Sequence, residues 1–197
     1  MHTFHRLLLP LVSLVAVSLW AGACGSRTEA RQPEYIPTAT VKDLMEAIVD
    51  PSADVVWESV QTVVSADGIN DAAPHTPEEW AGVRLGALRL AEASNLLMVP
   101  GRHVARPGEK SVAPGVELEP EEIEALVNND RETWNKLSHG LHDASLAALH
   151  AIDKKDVETL FNVGEQIERA CENCHSHYWY PNEKIPPVSS ELSSAQR

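Results

Sequence analysis

From residue 38 onward, apolar positions recur at three- and four-residue intervals, with little alternation of period two. Four stretches carry this pattern, which predicts an all-α fold. The first, residues 38–65, holds Val41, Leu44, Met45 and Ile48, then Val56, Val60 and Val63. Pro51 interrupts it, and Asp50-Pro51 suits an N-cap and first helical position, so two helices or one kinked helix are expected. The second opens on Thr76-Pro77 with Glu79 completing a capping box. Trp80, Val83, Ala87, Leu90, Ser94 and Leu97 then form a stripe that Pro100-Gly101 ends. The third, residues 120–152, keeps a near-heptad rhythm through Ile123, Val127, Trp134, Leu137, Leu141, Ala144, Ala148 and Ile152, and reads as one helix. The fourth begins at Asp156, an N-cap candidate. It puts Leu160, Val163, Gly164, Ile167, Cys171 and Cys174 on one face. Gly164 gives room for a flat group or a second helix to approach. Four such helices pack most simply as an antiparallel four-helix bundle. The connection between the second and third is rich in Pro and Gly and long for a bundle, which marks a functional or mobile loop.

The chemistry sits at the end of the fourth stretch, in Cys171-Glu172-Asn173-Cys174-His175. C-x-x-C-H is the attachment signature of a c-type haem: two thiols add across two vinyl groups, and the adjacent His becomes an axial iron ligand. The expected cofactor is therefore one covalently bound haem c, on Cys171, Cys174 and His175. Two other uses of a C-x-x-C pair exist. A thioredoxin-like redox pair follows a strand in a βαβ setting, whereas this one ends a helical pattern. A zinc site would need His ligands to complete its tetrahedron, because no second cysteine pair is present.

The flanks fit export. Residues 1–23 hold one charge, Arg6, followed by an apolar run from Leu7 to Trp20 and the small residues Ala21-Gly22-Ala23. This is the form of a secretory signal peptide; the run is short for a membrane span and Pro10 interrupts it. Haem is attached to c-type cytochromes outside the cytoplasm, so export and the motif belong together. Ala21-Gly22-Ala23-Cys24 resembles the lipobox of bacterial lipoproteins, whose cysteine is acylated, although Leu is commonest where Ala21 stands. The same triplet fits ordinary A-x-A cleavage, which would leave Cys24 a free thiol. The cysteine count favours lipidation, since Cys24 has no disulfide partner once the motif is committed. Residues 24–37, with Pro33 and Pro37, read as a lipid-anchor tether to a domain over 38–184. Residues 185–197, Pro186-Pro187 and a Ser-rich end, read as a disordered tail. The expected location is periplasmic or membrane-anchored.

Charge narrows the partners. Setting aside residues 1–23, with their single Arg6, moves the formal net charge from −13 to −14. Such acidity argues against nucleic acid and fits a redox partner with a basic docking surface, although it also serves solubility alone. No spacing of acidic residues singles out a catalytic pair, so a carrier is expected rather than an enzyme.

Four helices with a single C-x-x-C-H on the last resemble the cytochrome c′ superfamily, the class II c-type cytochromes. The resemblance covers roughly residues 38–182 in architecture and is sharp at Cys171, Cys174 and His175. Ser176-His177-Tyr178-Trp179-Tyr180-Pro181 is similar to the aromatic ending of related bacterial cytochromes. Class I cytochromes, with an N-terminal motif and a downstream axial Met, fit poorly. The resemblance implies one of two distal sites: an open, apolar one that binds NO or CO, or a Met from the first helix that completes a low-spin electron-transfer centre. Met45 lies on that helix, and a thioether there would raise the potential; by residue type alone it suits filling a core gap, as most buried Met do, and it is the family position that favours ligation. Met98, at the end of the second helix, is a weaker candidate, as are His139, His142 and His150. His177 is expected at the surface. Tyr178, Trp179 and Tyr180 either pack on the haem edge or close the end of the helices. Arg84, Arg89, Arg102 and Arg106 are candidate partners for the haem carboxylates. Related bundles often pair through their first two helices, so Val56, Val60 and Val63 serve a homodimer or face the core.

Overall fold

A computed structural model of the chain describes residues 35–65 and 68–182. The expected signal peptide 1–23, Cys24, most of the expected tether 24–37 and the expected tail 185–197 lie outside the described residues. The described chain is helical, as the periodicity requires. It runs α1 (Val41–Leu44), a π-helical turn (Met45–Val49), α2 (Asp50–Ser59), a hairpin of β1 (Thr62–Ser65) and β2 (Gly68–Asp71), α3 (Pro77–Leu97), α4 (Pro120–Asn129), α5 (Arg131–Lys154) and α6 (Val157–Tyr178). None of these helices is long and apolar enough to cross a membrane.

The first stretch is neither two separate helices nor a simple kink. Thr40 caps α1 through a reciprocal box with Asp43. Pro51 has no N–H, and in a regular α-helix its ring would collide with the carbonyl four residues back. The backbone widens just before it: the Asp50 N–H reaches the Met45 carbonyl, five residues back, and α2 resumes with Pro51 in its first turn. Beyond Ser59 the expected helix fails. Thr62–Ser65 pairs antiparallel with Gly68–Asp71, Thr62 opposite Asp71 and Ser65 opposite Gly68. The β-branched run Thr62-Val63-Val64 suits a strand better than a last helical turn.

The second stretch folds as read. Thr76 and Glu79 form the capping box, and Trp80, Val83, Ala87, Leu90, Ser94 and Leu97 are all buried. The third is a correction: it is two helices, broken at Asp130 (φ −131°, ψ 68°). Asp130 leaves helical geometry and its carboxylate accepts from the Thr133 N–H at 3.0 Å, capping α5. The fourth starts at its Asp156 cap, which accepts from the Thr159 N–H at 3.0 Å.

Helix α5 packs on α3 and on α6, and α2 packs on α3 and, more lightly, on α6. Val49, Ala53, Val56, Leu90, Ala148, Leu160 and Ile167 build the middle of the core. Val56 and Val60 are therefore core residues rather than a dimer face. A second cluster gathers Val41, Leu44, Leu97, Ile123, Val127, Trp134 and Tyr178 at one end, and Met45 and Ile48 pack against both. The α2–α3 contact depends on Gly86: a Cβ there would stand 2.8 Å from Val55 Cγ1 and 3.2 Å from the Ser52 carbonyl. Gly86→Ala is expected to lower unfolding free energy by about 1–3 kcal/mol, because one obstacle is backbone. Thermal denaturation checks it, against Gly82→Ala, where a Cβ meets nothing within 4 Å and helix propensity should raise stability.

Candidate functional site

Cys171, Cys174 and His175 lie in the last two turns of α6 and are all partly buried. Their i, i+3 spacing turns both sulfurs to the side that Leu160, Val163 and Ile167 bury higher up the helix. Both thiols are free. They line a cleft of about 220 Å³ between α6, α5, the end of α3 and the π-turn–α2 segment. Its walls are mostly apolar: Val49, Ala53, Trp57, Leu97, Leu137, Leu141 and Ala170. Met45, Asp50 and His175 line it too, and the same three face a second cleft of about 260 Å³ under the 98–119 loop. The adjoining spaces together reach the size that encloses a large organic ligand.

The electrostatics of the pair oppose a dithiol catalyst. Burial pushes the Cys174 thiol up to about 12, with the neighbouring Cys171 adding to it. Burial, then the Asp50 carboxylate, pushes Cys171 up to about 11. Reactive redox cysteines have lowered values and sit at helix N-termini; these sit at a C-terminal end, where the helix dipole disfavours a thiolate. Among the described residues no three His, Cys, Asp or Glu side chains gather as a cation site, so the zinc alternative finds no ligand set there.

His175 is held by aromatic neighbours. Trp179 lies 5.5 Å from it, centroid to centroid, and Tyr180 6.4 Å. Trp179 in turn stacks on buried Trp134 at 6.4 Å and 25°. Of the three terminal aromatics, one takes the second of the roles expected of them. Tyr178 is buried, edge-on to Trp134 at 5.2 Å, with its hydroxyl donating to the Asp130 carbonyl: it closes the end of the helices. Trp179 and Tyr180 face the second cleft.

Met45 stands on the π-helical turn, a feature frequent at functional sites. It borders both clefts with His175, whereas Met98 caps α3 and borders neither. His139 and His150 are exposed, and His142 is partly buried beside Asp143 at 3.7 Å. None of the three lines either cleft. His177 is exposed, as expected. The four arginines considered for carboxylate binding also lie elsewhere. Arg84 pairs with Asp153, Arg106 with Asp43, Arg102 donates to the Ala39 and Leu96 carbonyls, and Arg89 is exposed. The cations that border the second cleft are Lys42 and Lys110, which the sequence did not single out. Gly164 admits a second helix: the Trp57 indole N–H donates to its carbonyl at 3.1 Å, and a Cβ there would stand 3.2 Å from the ring. No protein-family model, curated protein or solved structure matches the chain.

Proposed function

We propose that the chain is an exported monohaem c-type cytochrome, anchored through a lipid on Cys24, that carries single electrons and folds as an antiparallel four-helix bundle of the cytochrome c′ kind. One observation carries the reading: Cys171, Cys174, His175 and Met45 border one largely apolar cleft. The residues present fit the group. Two unpaired thiols at i, i+3 would form the thioethers, His175 and Met45 would hold the iron, and the apolar walls would enclose the macrocycle. Lys110, mostly exposed and 3.7 Å from Glu119, would answer one of its carboxylates, while Lys42 is held by Glu109 at 3.2 Å.

Bound there, the haem supplies an iron that cycles between ferric and ferrous. The chain's part is to hold ligands and exclude water. A soft thioether favours the ferrous state, and rigid helices on both sides limit reorganisation. The aromatic contacts of His175 fix the plane of its ring. On this reading the chain acts as a carrier rather than an enzyme. Glu46, Asp50 and Asp54 border the clefts, which favours a redox partner with a basic surface.

The test is the optical spectrum of protein matured with c-type haem machinery, oxidised and reduced, with and without CO. A low-spin spectrum whose sulfur-to-iron charge-transfer band disappears in Met45→Ala is expected. A high-spin spectrum that shifts readily with CO would reject Met45 and move the reading to gas binding.

A further inference from the structure

The 98–119 loop does more than join α3 to α4. Its His103 and Val104 carbonyls accept from the Val41 and Lys42 N–H groups at 2.9 and 3.0 Å, occupying donors that the first turn of a helix leaves unpaired. The loop's Arg106-Pro107-Gly108-Glu109 turn then reaches the same helix from its side. Gly108 (φ 85°) after Pro107 makes the tight turn, closed by the Glu109 N–H to the Arg106 carbonyl at 3.1 Å. Glu109 accepts from the Arg106 N–H at 2.7 Å and from Lys42 Nζ at 3.2 Å, and Arg106 pairs with Asp43 at 2.5 Å. The far ends of the loop are fixed as well. Glu124 of α4 accepts from the Val104 N–H at 3.0 Å, and the Leu118 N–H donates to the Trp179 carbonyl at 2.8 Å.

Helix α1 is the first turn of a helical segment that continues through the π-turn into α2; buried Val41 and Leu44 seat one side of it, and the clasp holds its free N-terminal end. Asp43 and Lys42, the residues clasped, are two and three positions before Met45. We infer that Arg106 and Glu109 are positioning residues for Met45: their clasp on Asp43 and Lys42 keeps the first helix, and with it the sixth ligand, seated over the cleft. This rests on Met45 ligation as proposed above. Loosening the clasp raises the fraction of molecules with Met45 detached, and a ligand that needs the sixth position binds in proportion to that fraction.

The experiment compares holoprotein of the wild type, Arg106→Ala/Glu109→Ala, Arg106→Lys and Arg84→Ala. The probe is CO, and the readouts are its equilibrium affinity for the ferrous form, the charge-transfer band of the ferric form, and amide exchange at Val41 and Lys42. The double variant is expected to bind CO roughly three- to tenfold more tightly and to exchange both amides faster, with the band weakened. Arg106→Lys should restore most of the wild-type affinity. Arg84→Ala breaks an ion pair to Asp153 away from the site and should leave CO affinity unchanged. A double variant with faster exchange but CO affinity within twofold of wild type would show a strap that does not position Met45, and would overturn the inference alone. A wild type whose spectrum lacks the Met45 band would overturn the ligation reading, and the inference with it, before any loop variant is compared.

Discussion

Trp134→Ala is expected to lower the unfolding free energy by about 3–5 kcal/mol, the largest loss from any single truncation at the motif end of the molecule. Trp134 has no exposed surface. Its ring is edge-on to Tyr178 and stacked on Trp179, and its indole N–H donates to the Leu97 carbonyl at 2.9 Å. It therefore ties the start of α5 to the last turn of α3 and the last turn of α6. Alanine removes the packing, opens a cavity and leaves a buried carbonyl unpaired. Trp134→Phe separates these causes: it keeps a ring between the aromatics and loses the hydrogen bond, for about 1–3 kcal/mol. In a domain of this size each kcal/mol moves the melting temperature by about 2–4 °C, so the alanine variant should melt roughly ten degrees lower. An alanine loss no larger than the phenylalanine loss would mean that the ring stack contributes nothing. Trp179 in turn meets His175 at a tilted angle, 5.5 Å between centroids, so the alanine variant should also hold that imidazole less firmly.

The stretches that the sequence described correctly are those whose ends carry their own chemistry. Thr76-Pro77-Glu79 and Asp156 start α3 and α6 by side-chain bonds to nearby backbone, and such local bonds are visible in the order of residues. The break at Asp130 was hidden by good periodicity: Val127 and Trp134 keep the heptad step across it, and both are buried although they belong to different helices. Asn128-Asn129-Asp130 followed by Thr133 was the available signal for a stop and a new cap. At residues 62–65 the spacing of Val56, Val60 and Val63 imitated a helical face, while the β-branched run and the following Gly68 pointed to a hairpin. In the site, the motif was legible because Cys171, Cys174 and His175 are neighbours in the chain. The placement of Lys42 and Lys110 at one cleft was not, because a long loop brings them together and no local rule fixes where it lands.

Replacing both motif cysteines, Cys171→Ser/Cys174→Ser, is expected to abolish covalent haem entirely, with each single variant keeping one thioether. Denaturing electrophoresis followed by haem staining separates the three cases. Serine is chosen because its hydroxyl can bond back to the carbonyl four residues earlier in α6, so the helix itself need not fail. The second effect is on stability. A cleft of about 220 Å³ with apolar walls, left unfilled, carries a penalty on the order of 5 kcal/mol if it were closed, and less because water reaches its mouth. A covalent group that fills it contributes most of that back to the folded state and none to the unfolded chain. The matured wild type should therefore melt well above the double variant, while wild type expressed without haem should melt close to it. If the wild type and the double variant instead melt together under maturing conditions and both are colourless, the cleft holds no haem. The buried thiols would then be ordinary core cysteines, and the cytochrome reading would fall.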